Sequence, residues 1–264
     1  MMTFTFDLIS DLHLPTWEHN FDWRDRATSA YCVIIGDVTN DRDQLVKFLT
    51  HLGRCYQGVF YIDGNDEHRD YIENLGASYR DLANKVNAIP NVVFLQDNVI
   101  VVDGVAILGT NGWWGFDFDL GISPEQSAMW YKEKEIISDT AIRNIKRAAS
   151  TDARYMVSSV KRLQTHVDVK KIVMITHTVP KPELIEHDIG LEGTMRFNTM
   201  GNRYMQQALD VDTEGKIHTW CFGHYHGSID QTHNSVRYVN NCRGRGNTMY
   251  SQWAYHPLRI SVEY

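Results

Sequence analysis

Five apolar runs recur along this chain, and each is typical of a strand buried on both faces of a covered sheet. They are Phe4 to Ile9, Cys32 to Ile35, Val59 to Ile62, Lys171 to Ile175 and Ile217 to Phe222. A polar stretch containing Asp, Asn or His follows each run at once. Because loops converge at the carboxyl ends of strands in open α/β sheets, we expect these polar side chains to meet at one edge.

A sixth strand is predicted over Val105 to Gly109, followed by helical sequence. Ser123 is the expected N-cap of a helix that has Pro124 in its first turn and runs to about Ala149. A second helix is predicted from Asp152 to about Thr165. The chain is therefore expected to carry a helical insertion over about 123–166.

The polar stretches contain five short blocks whose side chains are suited to binding metal ions. The blocks are Asp11-Leu12-His13, Gly36-Asp37-Val38-Thr39-Asn40, Gly64-Asn65-Asp66-Glu67, Thr176-His177 and Gly223-His224-Tyr225-His226. Imidazole, carboxylate and amide ligands together favour Mn, Fe, Co, Ni or Zn over Ca. Two neighbouring cations repel each other, so a carboxylate is expected between them, and Asp37 is the natural bridge.

In order and spacing, the five blocks resemble the signature of the calcineurin-like metallophosphoesterases. The resemblance implies an α/β fold, a four-layer αββα sandwich of two mixed sheets flanked by helices. It also implies two metal sites and a shared ligand. The ligands that it implies are Asp11, His13 and His226 for one ion and Asn65, His177 and His224 for the other, with Asp37 shared by both ions.

One block departs from the commonest family pattern, because Asp66 stands where many members have a histidine that is thought to protonate the leaving group. Asp66 is kept as a weak candidate for the catalytic acid. Nearby positive charge argues against this role, because it favours the carboxylate anion, which has no proton to donate. His68, two residues later, is expected to be a surface histidine. Asn65 is a candidate phosphate contact, and His224 is expected to orient the substrate as well as to bind metal.

Two further segments offer candidate substrate contacts with open alternatives. The aromatic loop after Val105 to Gly109 contains Trp113 and Trp114, and stacking on a base or sugar competes evenly with core packing there. Arg243 and Arg245 lie in a glycine-containing segment, where a phosphate contact competes with a solvated turn. Trp113 and Arg243 are therefore assigned to substrate binding together with Asn65.

Composition narrows the choice of partner. The chain has 264 residues with 26 basic and 33 acidic side chains, which gives a net charge of −7. This charge argues against a strongly basic surface that binds duplex nucleic acid. No linker, repeat or membrane-spanning run is visible, so a single domain over 1–264 is expected. The four cysteines form no CxxC pair, and a soluble cytoplasmic protein with reduced thiols is expected.

The predicted function is hydrolysis of a small phosphorylated substrate, as a phosphodiesterase or phosphatase, by a metal-bridging hydroxide. The predicted cofactors are two divalent transition-metal ions, with Mn as first choice and Fe, Zn, Ni or Co as alternatives. A protein serine/threonine phosphatase, a nuclease and a metal-binding scaffold without activity are the alternatives. The substrate, the oligomeric state and the choice between monoester and diester are left open.

Overall fold

The computed structural model describes residues 2–264 except 19–22, 24, 120, 189, 192, 247 and 249–253. The strands of this part are β1 (Thr3–Ser10), β2 (Tyr31–Ile35), β3 (Gly58–Ile62), β4 (Val92–Phe94), β5 (Asn98–Val102), β6 (Val105–Thr110), β7 (Lys171–Thr176), β8 (Ile217–Phe222), β9 (Ser228–His233), β10 (Val236–Asn241) and β11 (Leu258–Glu263). The α-helices are α1 (Arg42–Cys55), α2 (Leu75–Val86), α3 (Pro124–Glu135), α4 (Asp139–Gln164) and α5 (Gln207–Asp210).

The strands form two mixed sheets. The first has the order β11-β1-β2-β3-β4, in which β1 to β4 are parallel and β11 runs antiparallel to β1. The second has the order β5-β6-β7-β8-β10-β9, with β5 and β9 as the antiparallel strands at its two edges. The parallel strands β6, β7, β8 and β10 form its centre.

Three apolar cores lie between four layers and confirm the predicted αββα sandwich. Side chains from both sheets, such as Phe6 and Ile175, pack together in the middle core. On the outer face of the first sheet, Leu45, Leu49 and Leu52 are buried at helical spacing along α1. The outer face of the second sheet packs against α4 through residues such as Met156.

The predicted outer ends of the insertion are confirmed, with Ser123 as the N-cap of α3 and Thr165 as the C-cap of α4, whereas the predicted break between the two helices was wrong. The break lies at 136–138, where Ile136 ends α3 in the left-handed conformation (φ 55°) and Ser138 begins α4 by accepting the Thr140 and Ala141 backbone N–H groups. Asp152 does not start a helix. It lies in the interior of α4, where its carboxylate is buried and accepts the Gly112 backbone N–H at 2.7 Å, so a tertiary contact replaces the expected cap.

The last part of the chain divides between the two sheets. Strand β10 joins the second sheet beside β8, whereas β11 pairs with β1 at the edge of the first sheet. This pairing brings the segment after β10 back toward the end of β1, where the Arg243 backbone N–H donates to the Ser10 carbonyl at 3.0 Å. Among the described residues, no helix combines the length and apolar character needed to cross a bilayer.

Candidate metal centre

The sheet strands deliver the predicted ligands at their carboxyl ends. Strands β1, β2 and β3 of the first sheet and β7 and β8 of the second each lead directly into one ligand block. Backbone hydrogen bonds tie these loops together: His13 N–H donates to the Asp37 carbonyl at 2.9 Å, and Gly223 N–H donates to the His177 carbonyl at 2.9 Å. The two sheets therefore contribute to one site at a shared edge.

Several candidate ligands adopt a backbone conformation that is uncommon for residues other than glycine. The φ angles are 49° at Asp11, 44° at His13, 48° at Asp37 and 62° at His224. Such left-handed residues cost free energy and persist only where the surrounding structure holds them, which is frequent at functional sites. Their concentration here indicates that the loops are built to aim side chains at a common point.

The first group of donors consists of Asp11, His13 and His226. The Nε2 atoms of His13 and His226 lie 3.0 Å apart, and His226 Nε2 lies 3.4 Å from Asp11 Oδ1. His13 Nε2 is 3.9 Å from the same Asp11 oxygen. Three donor atoms thus surround a single point, as the ligands of one ion do.

The second group consists of Asp37, His177 and His224, with Asn65 beside it. His177 Nε2 lies 3.4 Å from Asp37 Oδ1 and 3.2 Å from Asn65 Oδ1. The other oxygen of Asp37, Oδ2, lies 3.7 Å from His13 Nε2 in the first group. Each oxygen of this carboxylate therefore faces a different group, which is the geometry that a bridging ligand requires.

Hydrogen bonds on the far side of two rings define which imidazole nitrogen faces the site. His224 Nε2 lies 3.1 Å from the Thr199 carbonyl oxygen, which only accepts, so Nε2 carries the proton and Nδ1 keeps its lone pair. His13 Nδ1 donates to Asp66 Oδ2 at 3.0 Å, which leaves Nε2 as the free donor toward the first group. Such outer partners orient metal-binding histidines and raise their basicity.

The electrostatics of the site suit a bound cation. Burial, followed by the charges of Asp66, Asp11 and Glu67, raises the pKa of Asp37 well above its usual value. Burial also lowers the pKa of His13 and of His224 below 6.5, which favours the neutral imidazole that binds metals. Crowded carboxylates and neutral imidazoles, all buried or partly buried, form a nitrogen and oxygen donor set that fits divalent transition ions.

Glu67 supports the site from behind, a role that the sequence did not reveal. Its buried carboxylate accepts four backbone N–H groups, from Gly64 (2.7 Å), Asp37 (2.9 Å), Val38 (2.7 Å) and Thr39 (3.3 Å). These bonds fasten the loop after β2 to the loop after β3. The one feature of the sequence that pointed to Glu67 is that it directly follows Gly64-Asn65-Asp66 in the third ligand block.

Asp66, the weak candidate for the catalytic acid, is held by one histidine and two arginines, and Asn65 Nδ2 also donates to its Oδ1 at 3.3 Å. Asp66 accepts from His13, from Arg69 Nη2 on Oδ1 at 2.6 Å and from Arg245 Nη2 on Oδ2 at 2.7 Å. Although burial acts to raise its pKa, the hydrogen bond from His13 and the charges of His13 and the two arginines outweigh burial and lower the pKa below its usual range. The geometry therefore favours an ionised Asp66 carboxylate that positions His13 and the two arginines. The role of Asp66 as catalytic acid stays a prediction.

The expectation that His68 lies at the surface was wrong. The ring is fully buried, with Nε2 donating to Asp63 Oδ2 at 2.8 Å and Nδ1 accepting from the Ser78 hydroxyl at 2.7 Å. Asp63 also accepts from Asn111 Nδ2 at 2.7 Å. This buried chain of hydrogen bonds anchors both ends of the segment that carries Asn65 and Glu67, so His68 serves the local structure.

The aromatic loop packs in the core beside the site. Trp113 is fully buried and its indole N–H donates to the Tyr79 hydroxyl at 2.7 Å. Trp114, exposed by 1%, stacks on His224 with ring centroids 5.3 Å apart and planes inclined by 19°. Both indoles therefore pack in the core, and Trp114 helps to orient His224, a candidate ligand. Substrate stacking on Trp113 stays a prediction.

The structure brings Arg245 into the site and leaves Arg243 outside it. The guanidinium of Arg243 lies 3.7 Å from the centre of the Trp17 ring, and the residue is 3% exposed, so neither a solvated turn nor a wall of the cavity describes it. Burial lowers its pKa to about 10. The substrate-binding role assigned to Arg243 stays a prediction, whereas Arg245 lines the cavity described next.

A cavity of about 370 Å³ opens directly over the two groups of donors. Asp37, Asn65, His224 and His226 form its floor. The residues on its walls come from the loop after β6, the helical insertion, the segment before β8 and the segment after β10. They include Trp113, Trp114, Trp130, Tyr131, Lys134, Glu135, Arg196, Thr199 and Arg245, together with Arg69. The site is therefore open to a small molecule.

Comparison with protein-family models gives no match, and neither does a search of curated proteins. Among solved structures, the phosphopantetheinyl hydrolase PptH from Mycobacterium tuberculosis superposes with a TM-score of 0.69 at 17% identity, covering 96% of this chain and 95% of that one. A protein named as a candidate 5′-nucleotidase from Staphylococcus aureus, in complex with alpha-ketoglutarate, gives a TM-score of 0.56 at 14% identity. That match covers 99% of this chain and 51% of the other, about half its length. The chain thus shares its fold with these two proteins.

Proposed function

We propose that this protein is a dinuclear-metal-dependent phosphoester hydrolase that acts on a small phosphorylated substrate, as a phosphodiesterase or phosphatase. The observation that carries the proposal is the Asp37 carboxylate, whose Oδ1 and Oδ2 each face a separate group of histidines at 3.4 and 3.7 Å. The two solved structures of the same fold, named as a phosphopantetheinyl hydrolase and a candidate nucleotidase, support it.

Asp11, His13 and His226 would hold one ion, Asn65, His177 and His224 the other, and Asp37 both. Bound divalent ions lower the pKa of water and stabilise negative charge on phosphoryl oxygens, so no serine or cysteine nucleophile is needed. Manganese is our first choice, because histidine, carboxylate and amide ligands together suit it. We retain the expectation of one domain over 1–264 and of a cytoplasmic protein.

The residues of this chain have separate tasks in the proposed reaction. Glu67 holds the Asp37 and Gly64 backbone in place, while Asp66 and the Thr199 carbonyl orient His13 and His224. Asn65 lies on the floor of the cavity, where its amide is near enough to the ligand groups to contact a phosphate.

Elemental analysis and an activity panel test the proposal. Protein purified without EDTA is expected to contain transition ions and, with added Mn, to hydrolyse bis-p-nitrophenyl phosphate or p-nitrophenyl phosphate. The ratio of the two rates separates a diesterase from a monoesterase. Protein without any transition ion, and without activity after Mn is added, would contradict the proposal.

A matched pair of substitutions makes the test specific. Asp37→Asn is expected to keep the fold and to lower both metal content and activity. Substituting a residue that only supports a metal ligand costs about 10–100-fold, so substituting the bridging ligand itself should lower activity by about 100-fold or more. Asp103→Asn is the control, because Asp103 is exposed and has the same φ of 48° as Asp37. Asparagine tolerates this conformation, so backbone strain is matched. Full activity in Asp37→Asn would end the proposal.

A further inference from the structure

Four basic side chains line the cavity over the ligand groups: Arg69, Lys134, Arg196 and Arg245. Within the described part of the chain, Glu135 is the one carboxylate of the cavity wall outside the candidate ligands, and it pairs with Lys134 at 3.1 Å. The net charge of the protein is −7, so this local excess of positive charge is a feature of the cavity. Such a patch attracts anions.

Two of these side chains are held in place by one carboxylate. Asp66 presents Oδ1 to Arg69 at 2.6 Å and Oδ2 to Arg245 at 2.7 Å, and it is itself only 8% exposed. Arg69 and Arg245 are 47% and 34% exposed, so both reach from a buried anchor into the open cavity. A guanidinium has five N–H donors, and Asp66 engages one nitrogen of Arg69, which leaves donors in a forked geometry that matches phosphate oxygens.

The balance of charge indicates more than one anionic group on the ligand. Two divalent ions with the Asp11 and Asp37 carboxylates would leave two positive charges, and one phosphate of a diester, which carries one negative charge, would neutralise one of them. The four basic residues of the wall, set against Asp66 and Glu135, leave two further positive charges. A second phosphate next to the first would bring a further negative charge to these residues, whereas a substrate with one phosphate brings none.

We propose that the substrate is a diester of diphosphate, with one phosphate at the ligand groups and the adjacent phosphate on Arg69 and Arg245. This inference rests on the proposed function and specifies its substrate class. Water adds to the first phosphorus, the P–O–P bond breaks, and the second phosphate leaves with the electron pair of that bond. The products are two phosphate monoesters, and each receives one of the two protons of water.

The arginine pair suits this leaving group. A phosphate monoester has a second pKa near 6, so it departs as an anion and needs no proton from an acid at neutral pH. An alcohol leaving group needs that proton, and general acids contribute about 10²–10⁴-fold in such reactions. Trp130 and Tyr131 line the same cavity and provide apolar surface for the organic group beyond the second phosphate.

Two substrates that differ in the second phosphate test the proposal in Mn-loaded protein. Arg69→Ala and Arg245→Ala are each expected to lower kcat/KM for diadenosine diphosphate by about 10- to 100-fold, the usual effect of losing a charged hydrogen bond. For adenosine 5′-p-nitrophenyl phosphate, which has one phosphate, the change is expected to stay within about threefold. Arg237→Ala is the control, because Arg237 pairs with Asp230 at 2.7 Å outside the cavity and should affect neither substrate.

A binding measurement adds a readout that does not depend on turnover. Calorimetric titration of Mn-loaded protein with methylenediphosphonate is expected to give a Kd about 10-fold or more weaker in each cavity arginine variant than in the parent. Chelation of Mn by the diphosphonate is common to all the proteins and cancels in this comparison. Circular dichroism and metal content, both expected to be unchanged, exclude misfolding as the cause.

The outcomes separate the two proposals. Hydrolysis of the single-phosphate ester without hydrolysis of diadenosine diphosphate, or an equal loss on both substrates in the arginine variants, would overturn the diphosphate assignment and leave the phosphoester hydrolase intact. An unchanged Kd for methylenediphosphonate in both variants would overturn it as well. Absence of bound ions and of activity on every ester would overturn the proposed function and the assignment together.

Discussion

The Glu67→Gln substitution is the most direct test of how the loops of the site are held. Glu67 Oε2 accepts from Asp37 and Gly64, and Oε1 accepts from Val38 and Thr39. A glutamine amide has the same shape, but its NH₂ group would face two backbone N–H donors wherever it is placed. Two hydrogen bonds to a charged acceptor are therefore lost, and two buried donors are left unsatisfied.

The expected loss of stability follows from these contacts. Hydrogen bonds to charged groups contribute about 1.5–3 kcal/mol each, so two of them give a decrease of about 3–6 kcal/mol in the free energy of unfolding. Because a decrease of 1 kcal/mol lowers Tm by about 2–4 °C in a chain of this size class, Tm should fall by about 6 °C or more. The loop that carries Asp37 should also loosen, and metal affinity should fall.

Denaturant unfolding, measured with and without Mn, checks both effects. Glu133→Gln is the control, since Glu133 is exposed on α3 and its substitution should change stability by less than about 0.5 kcal/mol. Glu67→Asp, which keeps the charge but is one methylene shorter, should lie between the parent and Glu67→Gln. If Glu67→Gln unfolds within about 1 kcal/mol of the parent and keeps its metal content, the supporting role of this carboxylate is refuted.

Two further predictions concern a glycine of the site and a histidine far from it. A Cβ at Gly64 would overlap Asp37 and lie 2.8 Å from His177 Cε1, so Gly64→Ala should cost about 1–3 kcal/mol and reduce metal content. Gly76→Ala in α2, where the added Cβ would lie in ordinary van der Waals contact with Arg80 Nη1 at 3.7 Å, should be neutral or stabilising by up to about 1 kcal/mol. Thermal melts and elemental analysis check both. Burial, then the nearby positive charges, lower the pKa of His218 below 6.5, so the unfolded chain takes up this proton first as the pH falls. Stability should therefore decline below about pH 6.5 and be unaffected above it, and His218→Asn should show a smaller decline in urea unfolding; equal pH profiles would contradict this.

The sequence alone determined the strands and the residues that follow them. Apolar runs such as Ile217 to Phe222 lie in the structure as strand β8 (Ile217–Phe222), because a buried strand requires a local and continuous apolar pattern. The polar residue after each run then lies at the carboxyl end of its strand. The structure brings together all the candidate ligands in two groups around Asp37, although their binding of ions stays a prediction.

The tertiary structure decided everything that depends on contacts between distant segments. The bond between Arg245 and Asp66 joins residues 179 positions apart, and no local pattern distinguishes Arg245 from Arg243, which is buried under Trp17. Asp152 appeared to start a helix because an aspartate favours that position locally, yet its partner is the Gly112 backbone of another segment. Local propensity contributes a few tenths to about 1 kcal/mol per residue, and burial with hydrogen bonding outweighs it, so such positions are decided only when the chain is packed.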